Sequence, residues 1–391
     1  VDEVHELVQS KRGTQLSVLL ERLMDFSGRD FQRIGLSATV GDTQKVLEFL
    51  AGGSSRPFSI INYGFNKPLK LTVKTVRDGH DDIWSNVAKI IASSIEPPSL
   101  IFVNSRFTSE RLHEALEELG LSKIYVHHSS VSRDDRWRVE EKLKKGDIKA
   151  VVCTKTLELG IDIGFINNVI QFRPTASVST LLQRIGRSGH EVDSECRGIL
   201  LGIGPIDALE NVATAILAVE REIEKPKIPV KPLDVLAKEI LGMCMQYGSI
   251  SPIKVYKVVK RAYPYRDLKF DEVLKVFKYL NENELIVEEG HGRFKLGSGF
   301  YRLWRFNHNG GVKKWWSRNF TEFFSTIAER DSFSVKHGDR HVGDLDSGYV
   351  YRYLRVGDIV RLSGRSWRVL DIDDNITVSY THLTLPTTER V

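Results

Sequence analysis

Between residues 66 and 225, short apolar runs alternate with amphipathic stretches. SLIFVNS, KIYVHHS, AVVCTKT, NNVIQFR and GILLGIG each carry a block of aliphatic residues, the pattern of strands buried on both faces. SERLHEALEELG, RDDRWRVEEKLKKGD, STLLQRIG and PIDALENVATAILAVEREI read as helices, and Gly120 stops the first of them. Strand–helix alternation at this period predicts a parallel, doubly wound sheet. Ligands of such sheets sit beyond the carboxyl ends of the strands. The polar residues closing each run are therefore the first place to look for chemistry.

The flanks follow other patterns. Residues 1–65 predict the tail of an α/β domain: DEVHEL closes a strand, TQLSVLLERLMDF is helical, FQRIGLSAT is strand then turn, and DTQKVLEFL is a helix behind an Asp-Thr cap. FSIINYGFNKPLKLTVKTV reads as extended linker and strand, broken at Pro68. Residues 226–300 open on a Pro/Lys linker, EKPKIPVKPLD. Three helices follow (PLDVLAKEILGMCMQY, PIKVYKVVKRAY behind Ser251, and FDEVLKVFKYLNEN), then two short strands in ELIVEEGHGRFKLG. That is the layout of a winged helix-turn-helix. Residues 301–377 are expected to be strand-rich, the start of a barrel-like domain with too few strands to close.

Composition narrows this little. A chain of 391 residues holds two to four domains at ~150 residues each. Forty-one per cent hydrophobic and 27 per cent charged is ordinary for a globular protein. No apolar run reaches the ~18 residues of a membrane span, and VDEVHELVQSK lacks the layout of a signal peptide. A cytoplasmic protein is expected, and a fragment of a longer chain because the sequence opens without Met. Cys153, Cys196 and Cys244 have no metal-ligand spacing and are expected to be buried, reduced thiols. A net charge of +5 permits a polyanionic partner.

Several run ends carry candidate chemistry. Asp2 and Glu3 could hold Mg²⁺ and orient a water, as nucleoside triphosphate hydrolysis requires; acidic pairs are also common on solvated surfaces. Ser37 and Thr39 could relay between sites or simply cap the next helix. Asn104, Ser105 and Arg106 open a helix after a strand, a phosphate-binding arrangement or an ordinary N-cap. His127 and His128 are adjacent and point to opposite faces, which argues against a metal pair. Thr154 can donate to a phosphate, Gly160 allows close backbone approach, and Asp162 can meet a ribose or an arginine. Gln183, Arg184, Arg187 and His190 follow on one helix and turn. Arg187, between Gly186 and Ser188-Gly189, could reach a γ-phosphate or form a structural Arg–Asp pair. Trp304, Trp315 and Trp316 lie among basic residues, which suits stacking on single strands or an aromatic core; Trp367 fits a core.

In order, DEVH, SAT, FVNSR, HHSS, TKTLELGIDIG and QRIGRSGH resemble motifs II to VI of superfamily 2 helicases. LELGIDIG, QRIGRSGH and the later VGDLD and LRVGDIVRLSGRSWRVLDID are similar to the Lhr, or large helicase-related, group over residues 1–377. The resemblance implies an α/β chain with an incomplete first RecA-like domain (1–65), a complete second one (66–225), a winged helix (226–300) and the start of a β-rich domain (301–377). It implies that Asp2 and Glu3 serve Mg²⁺ and water. His5, Ser37, Thr39, Gly160 and Asp162 belong to the nucleotide site and its coupling to DNA. Asn104, Ser105, Arg106, Thr154, Trp315 and Trp316 lie toward the nucleic acid. Gln183, Arg184 and Arg187 face the triphosphate. His190 stands where related DEAD-box proteins carry arginine, and an imidazole gives no fixed charge at neutral pH.

The activity implied is ATP- and Mg²⁺-dependent translocation, 3′ to 5′, on single-stranded DNA, unwinding duplex DNA or a DNA–RNA hybrid, with a role in DNA repair. The resemblance also implies a prokaryotic, archaeal source. No membrane partner is expected. Two alternatives stay open: an RNA-remodelling helicase, and a non-enzymatic nucleic-acid-binding protein with a decayed motor. No GxxxxGK[ST] phosphate loop occurs in the 391 residues, so this chain alone is expected to hydrolyse little ATP. The segment VSYTHLTLPT resembles the frame translation of a transposon-type sequencing adapter, and residues 378–391 are expected not to belong to the natural protein.

Overall fold

The first residues turn into a helix rather than closing a strand. Leu36 bonds through its backbone to Val1 (2.9 Å) and Val4 (3.0 Å). Glu3 then takes φ 49° and swings the chain into α1 (Val4–Val8). Burial drives the turn: Val4 and Val8 pack with Val46 and Phe49. Ser10 caps α2 (Lys11–Ser27) by accepting from the Gly13 N–H, and Gly28 ends it at φ 62°. Residues 31–38, expected as strand and turn, form no strand element and bend at Ala38. Asp42 caps α3 (Thr43–Ala51), accepting from the Lys45 N–H.

This computed structural model describes the chain except residues 39, 63–66, 79–81, 130, 132, 159–162, 190–194, 305–322, 325–331, 339, 347–349, 351–353, 363–364, 373–375 and 381–391. Thr39, Gly160, Asp162, His190, Trp315 and Trp316 thus lie outside the described residues.

Residues 69–220 form the expected parallel sheet. In chain order they give β1 (Leu69–Val76), α4 (Ile83–Ala92), β2 (Ser99–Phe102), α5 (Arg106–Glu118), β3 (Ile124–His127), α6 (Arg133–Lys144), β4 (Ala150–Cys153), β5 (Asn168–Phe172), α7 (Val178–Ile185), β6 (Cys196–Ile203) and α8 (Gly204–Glu220). The strands lie in the order β1-β6-β5-β2-β4-β3, and every pairing is parallel. Alternate residues face opposite sides. Leu100, Phe102, Val151 and Cys153 point toward α6, α7 and α8. Ile101, Val103, Ala150 and Val152 point toward α4 and α5. Helices on both faces explain why these strands are apolar throughout. Only α4 was not anticipated, although Ile83, Val87 and Ile91 repeat at helical spacing behind the Asp82 cap.

Three helices follow: α9 (Leu233–Tyr247), α10 (Pro252–Val259) and α11 (Phe270–Glu282). The short strand β7 (Ser249–Ile250) joins β8 (Ile286–Gly290) and β9 (Arg293–Leu296) in a sheet ordered β7-β9-β8. Residues Val1–Leu280 and Glu288–Lys295 make up one compact unit. Inside it, α2 makes charged pairs, buried at Arg22 and Glu21, with the segment after it and with the later helices. Arg22 donates to Glu239 (2.6 Å) and Gln246 (2.7 Å). Glu21 pairs with Arg33 (2.8 Å) and Arg261 (3.3 Å), and Asp25 with Lys254 (2.7 Å).

The second unit holds Asn281–Val287 and Leu296–Val391. Its longer segment opens with a helix, α12 (Ser298–Trp304), which runs into residues expected as strand. The rings of Phe300, Trp304 and Phe323 meet there tilted or edge-on, with centroids 4.9–5.6 Å apart, which supports the core reading of Trp304. Strands β10 (Ser332–His337), β11 (Arg340–Asp346), β12 (Ile359–Leu362), β13 (Arg365–Ile372) and β14 (Ile376–Tyr380) form a sheet ordered β11-β10-β14-β13-β12. Its core gathers Val335, Val360, Val369, Ile376 and, as expected, Trp367. Val378, the first residue of the adapter-like segment, is buried opposite Val369.

Candidate active site

The parallel sheet ends its central strands beside one another, and the expected residues follow those ends. Asn104, Ser105 and Arg106 come after β2, and Thr154 after its neighbour β4. Ser105 is an N-cap, its Oγ accepting from the Thr108 N–H at 3.0 Å. Asn104 donates to the Pro174 carbonyl (2.8 Å). All three residues of Asn104–Arg106 are exposed. Thr154 has no side-chain cap bond, and its N–H reaches the His127 carbonyl at 3.3 Å. His127 and His128 are taken up by Glu140 (3.0 Å) and Glu110 (2.6 Å). No group of three metal-ligating side chains occurs among the described residues. The three cysteines are free and buried, as anticipated, and burial pushes the Cys244 thiol up to about 12.

The fold brings the opening acidic segment to the helix that carries Gln183. His5 is buried within α1, with Nδ1 3.5 Å from Glu3 and 3.2 Å from Ser37 Oγ. Its Nε2 meets the Gln183 side-chain amide. Lys155, just past Thr154, pairs with Glu6 at 3.3 Å. Asp2 remains exposed and Glu3 half-buried.

The two arginines that follow have different surroundings. Arg187 donates through Nε (3.0 Å) and Nη2 (2.7 Å) to the Glu158 carbonyl. Burial holds its pKa down, against the pull of the Glu3 and Glu158 charges, so Arg187 and Glu3 share one electrostatic environment. Arg184, expected to face the triphosphate, is buried; it donates through Nε to Glu158 Oε2 (2.8 Å) and through Nη1 to Gln171 (2.8 Å), with its guanidinium 5.1 Å from the Phe102 ring centroid. A buried carboxylate needs a buried cation, and Glu158 claims Arg184 for that purpose.

Sequence reasoning missed Glu158, Gln171 and Glu6. Gln171 had a signal, a polar residue inside an apolar run. Glu158 had none, since a glutamate on a turn reads as solvated.

The family described as Helicase conserved C-terminal domain matches residues 83–191. ATP-dependent helicase Lhr-Core protein 2 of Thermococcus barophilus is 36% identical over 94% of this chain and 44% of its own length. ATP-dependent helicase Lhr-Core of Saccharolobus solfataricus is 36% identical over 95% of this chain and 43% of its own. The chain thus spans less than half the length of these relatives. The solved structure of Mycobacterium smegmatis helicase Lhr, bound to ssDNA and AMP-PNP, superposes with a TM-score of 0.69 at 32% identity, over 78% of this chain and 42% of that one. The DNA-bound helicase MrfA shares the fold at a TM-score of 0.57 and 20% identity, over 98% of this chain and 50% of that one. On these matches the chain belongs to the Lhr family of superfamily 2 helicases.

Proposed function

We propose that these residues form part of an ATP-driven DNA helicase motor, in which Arg187 acts on a nucleotide held against Asp2 and Glu3. The observation that carries this reading is the meeting of Glu3 and His5 with Gln183, drawn from two distant segments of sequence, with Arg187 just beyond Gln183 at the end of the same helix. Mg²⁺ suits Asp2 and Glu3, because that ion needs only one or two protein carboxylates beside phosphate oxygens and water. Bound there, it would offset charge on the transferred phosphoryl group. Glu3 would orient the attacking water, and Arg187 would steady the γ-phosphate.

His5, Gln183 and Ser37 would couple the nucleotide to the DNA path, a role that Thr39, Gly160 and Asp162 would share by their motif positions. Asn104, Ser105, Arg106 and Thr154 would line that path at the strand ends. Trp315 and Trp316, interleaved with basic residues in the sequence, would stack on single-stranded bases. The domains would divide near residues 65, 225 and 300. Single-stranded DNA bound by the mycobacterial relative supports DNA over RNA as the track. Translocation would run 3′ to 5′ in the service of repair. No described helix is long and apolar enough to cross a membrane.

The test is ATP turnover by the full-length gene product with and without single-stranded DNA. Stimulation by DNA is expected, and Arg187→Ala should lower kcat on the order of 10³-fold. Turnover indifferent to DNA, or Arg187→Ala at the wild-type rate, would overturn the reading. Duplexes with 3′ or 5′ tails of DNA or RNA then fix polarity and track.

A further inference from the structure

Glu158 is held at both of its ends by arginines, Arg184 in the last turn of α7 and Arg187 just beyond it. It is 1% exposed. One carboxylate oxygen accepts from Arg184 Nε and Nη2, both at 2.8 Å. Arg184 cannot swing away, because Gln171 holds its Nη1 (2.8 Å) and Phe102 lies 5.1 Å beneath it. The main-chain carbonyl of the same Glu158 accepts from Arg187 Nε (3.0 Å) and Nη2 (2.7 Å). Two donors of one rigid fork on one acceptor fix the plane of the guanidinium as well as its position.

We propose that Glu158 is a positioning residue for Arg187. Its side chain, locked by Arg184, sets the direction in which its peptide carbonyl presents Arg187 to the cleft. Arg184 then serves as the anchor of Glu158 and not as a second contact to phosphate. The inference rests on the nucleotide role proposed above for Arg187. Glutamine at position 158 keeps the reach of the side chain but cannot balance the buried Arg184 charge, so the anchor weakens while the shape is kept.

Two measurements test this, and the first needs no nucleotide. In the ¹⁵N-labelled chain, the Arg187 Nε–Hε resonance is identified by its loss in Arg187→Lys. Its exchange with solvent should speed up at least about tenfold in Glu158→Gln. In the full-length gene product, Glu158→Gln should lower kcat about tenfold with KM for ATP unchanged. In an Arg187→Ala background the same substitution should cost nothing more, since the residue it positions is gone. Unchanged Arg187 exchange in Glu158→Gln overturns the proposal, as does a full further loss of kcat in the Arg187→Ala background. Should Glu158→Gln fail to fold, Glu158→Gln with Arg184→Gln removes both buried charges; retained Arg187 protection in that folded pair overturns it equally. Arg187→Ala at wild-type kcat would instead remove the nucleotide reading and leave the exchange result standing.

Discussion

Gln183 donates its side-chain amide to Nε2 of His5, across 178 positions of sequence. Ser37 gives its own proton to the Ala38 carbonyl at 2.9 Å, so its oxygen is left to accept from His5 Nδ1 at 3.2 Å. The two bonds assign the ring proton to Nδ1. His5 is thus a joint between the first α/β segment and α7. His5→Ala and Gln183→Ala should each slow DNA-stimulated ATP turnover in the full-length gene product. The double variant should be little slower than either, with a coupling of roughly 1 kcal/mol. Losses that simply add would show that the two side chains act independently.

Arg22 and Glu239 form a buried pair at 2.6 Å, 8% and 1% exposed at the side chain. Removing one partner strands the other charge away from water, which costs about 3–5 kcal/mol. Glu239→Ala should therefore cause a large drop in the urea midpoint of the 391-residue chain. Arg22→Met with Glu239→Leu removes both charges at similar volume and should come out near neutral. A double variant as unstable as Glu239→Ala would mean that the pair contributes net stability and not only mutual neutralisation.

His127 links β3 to α6 through Glu140 and to the turn after β4 through Thr156. Burial lowers its pKa from the ordinary 6.5, outweighing the opposing pull of Glu140, while Arg136 adds to the lowering. The native state therefore favours the uncharged ring. Stability from this group is complete above the unfolded pKa of 6.5 and is lost as pH falls below it, where the unfolded chain takes up the proton first. Melting temperature should decline from pH 7 toward pH 5, and His127→Gln should flatten part of that decline. An unchanged slope in His127→Gln would assign the acid sensitivity to other groups.

Much of the sheet was legible because buried parallel strands are apolar on both faces, as Leu100–Phe102 and Val151–Cys153 show. Residues such as Asn104 and Thr154 were legible for a related reason: polar side chains at strand ends mark where a doubly wound sheet opens. Three helices escaped. For α4 the helical spacing is present in the sequence. The turn into α1 depends on Val4 and Val8 packing on Val46 and Phe49, and α12 on Phe300 and Trp304 meeting Phe323 later in the chain. The inward turn of Arg184 was not legible, because its partner Glu158 stands 26 positions earlier and becomes buried only when α7 packs. Motif order identifies which residues assemble, but not which of two neighbouring arginines is spent on an internal charge.

Gly13 lies where the end of α1 crosses the start of α2. A Cβ there would fall 1.8 Å from the Leu7 carbonyl oxygen and 2.4 Å from its carbon. Both atoms are backbone, and Leu7 O already accepts from the Ser10 N–H at 2.9 Å. No side chain can rotate to make room, so α1 must move as a body. Gly13→Ala should cost about 2–4 kcal/mol, against a helix-propensity gain of at most ~1 kcal/mol. Gly28→Ala is the natural comparison: that residue has φ 62° with nothing within 4 Å, so it carries backbone strain without a clash, worth about 1–2 kcal/mol. Denaturant midpoints of the two variants decide the matter. A loss at Gly13 no greater than at Gly28 would show that α1 shifts freely on α2, and His5 would then not be held rigidly enough to act as the joint to Gln183.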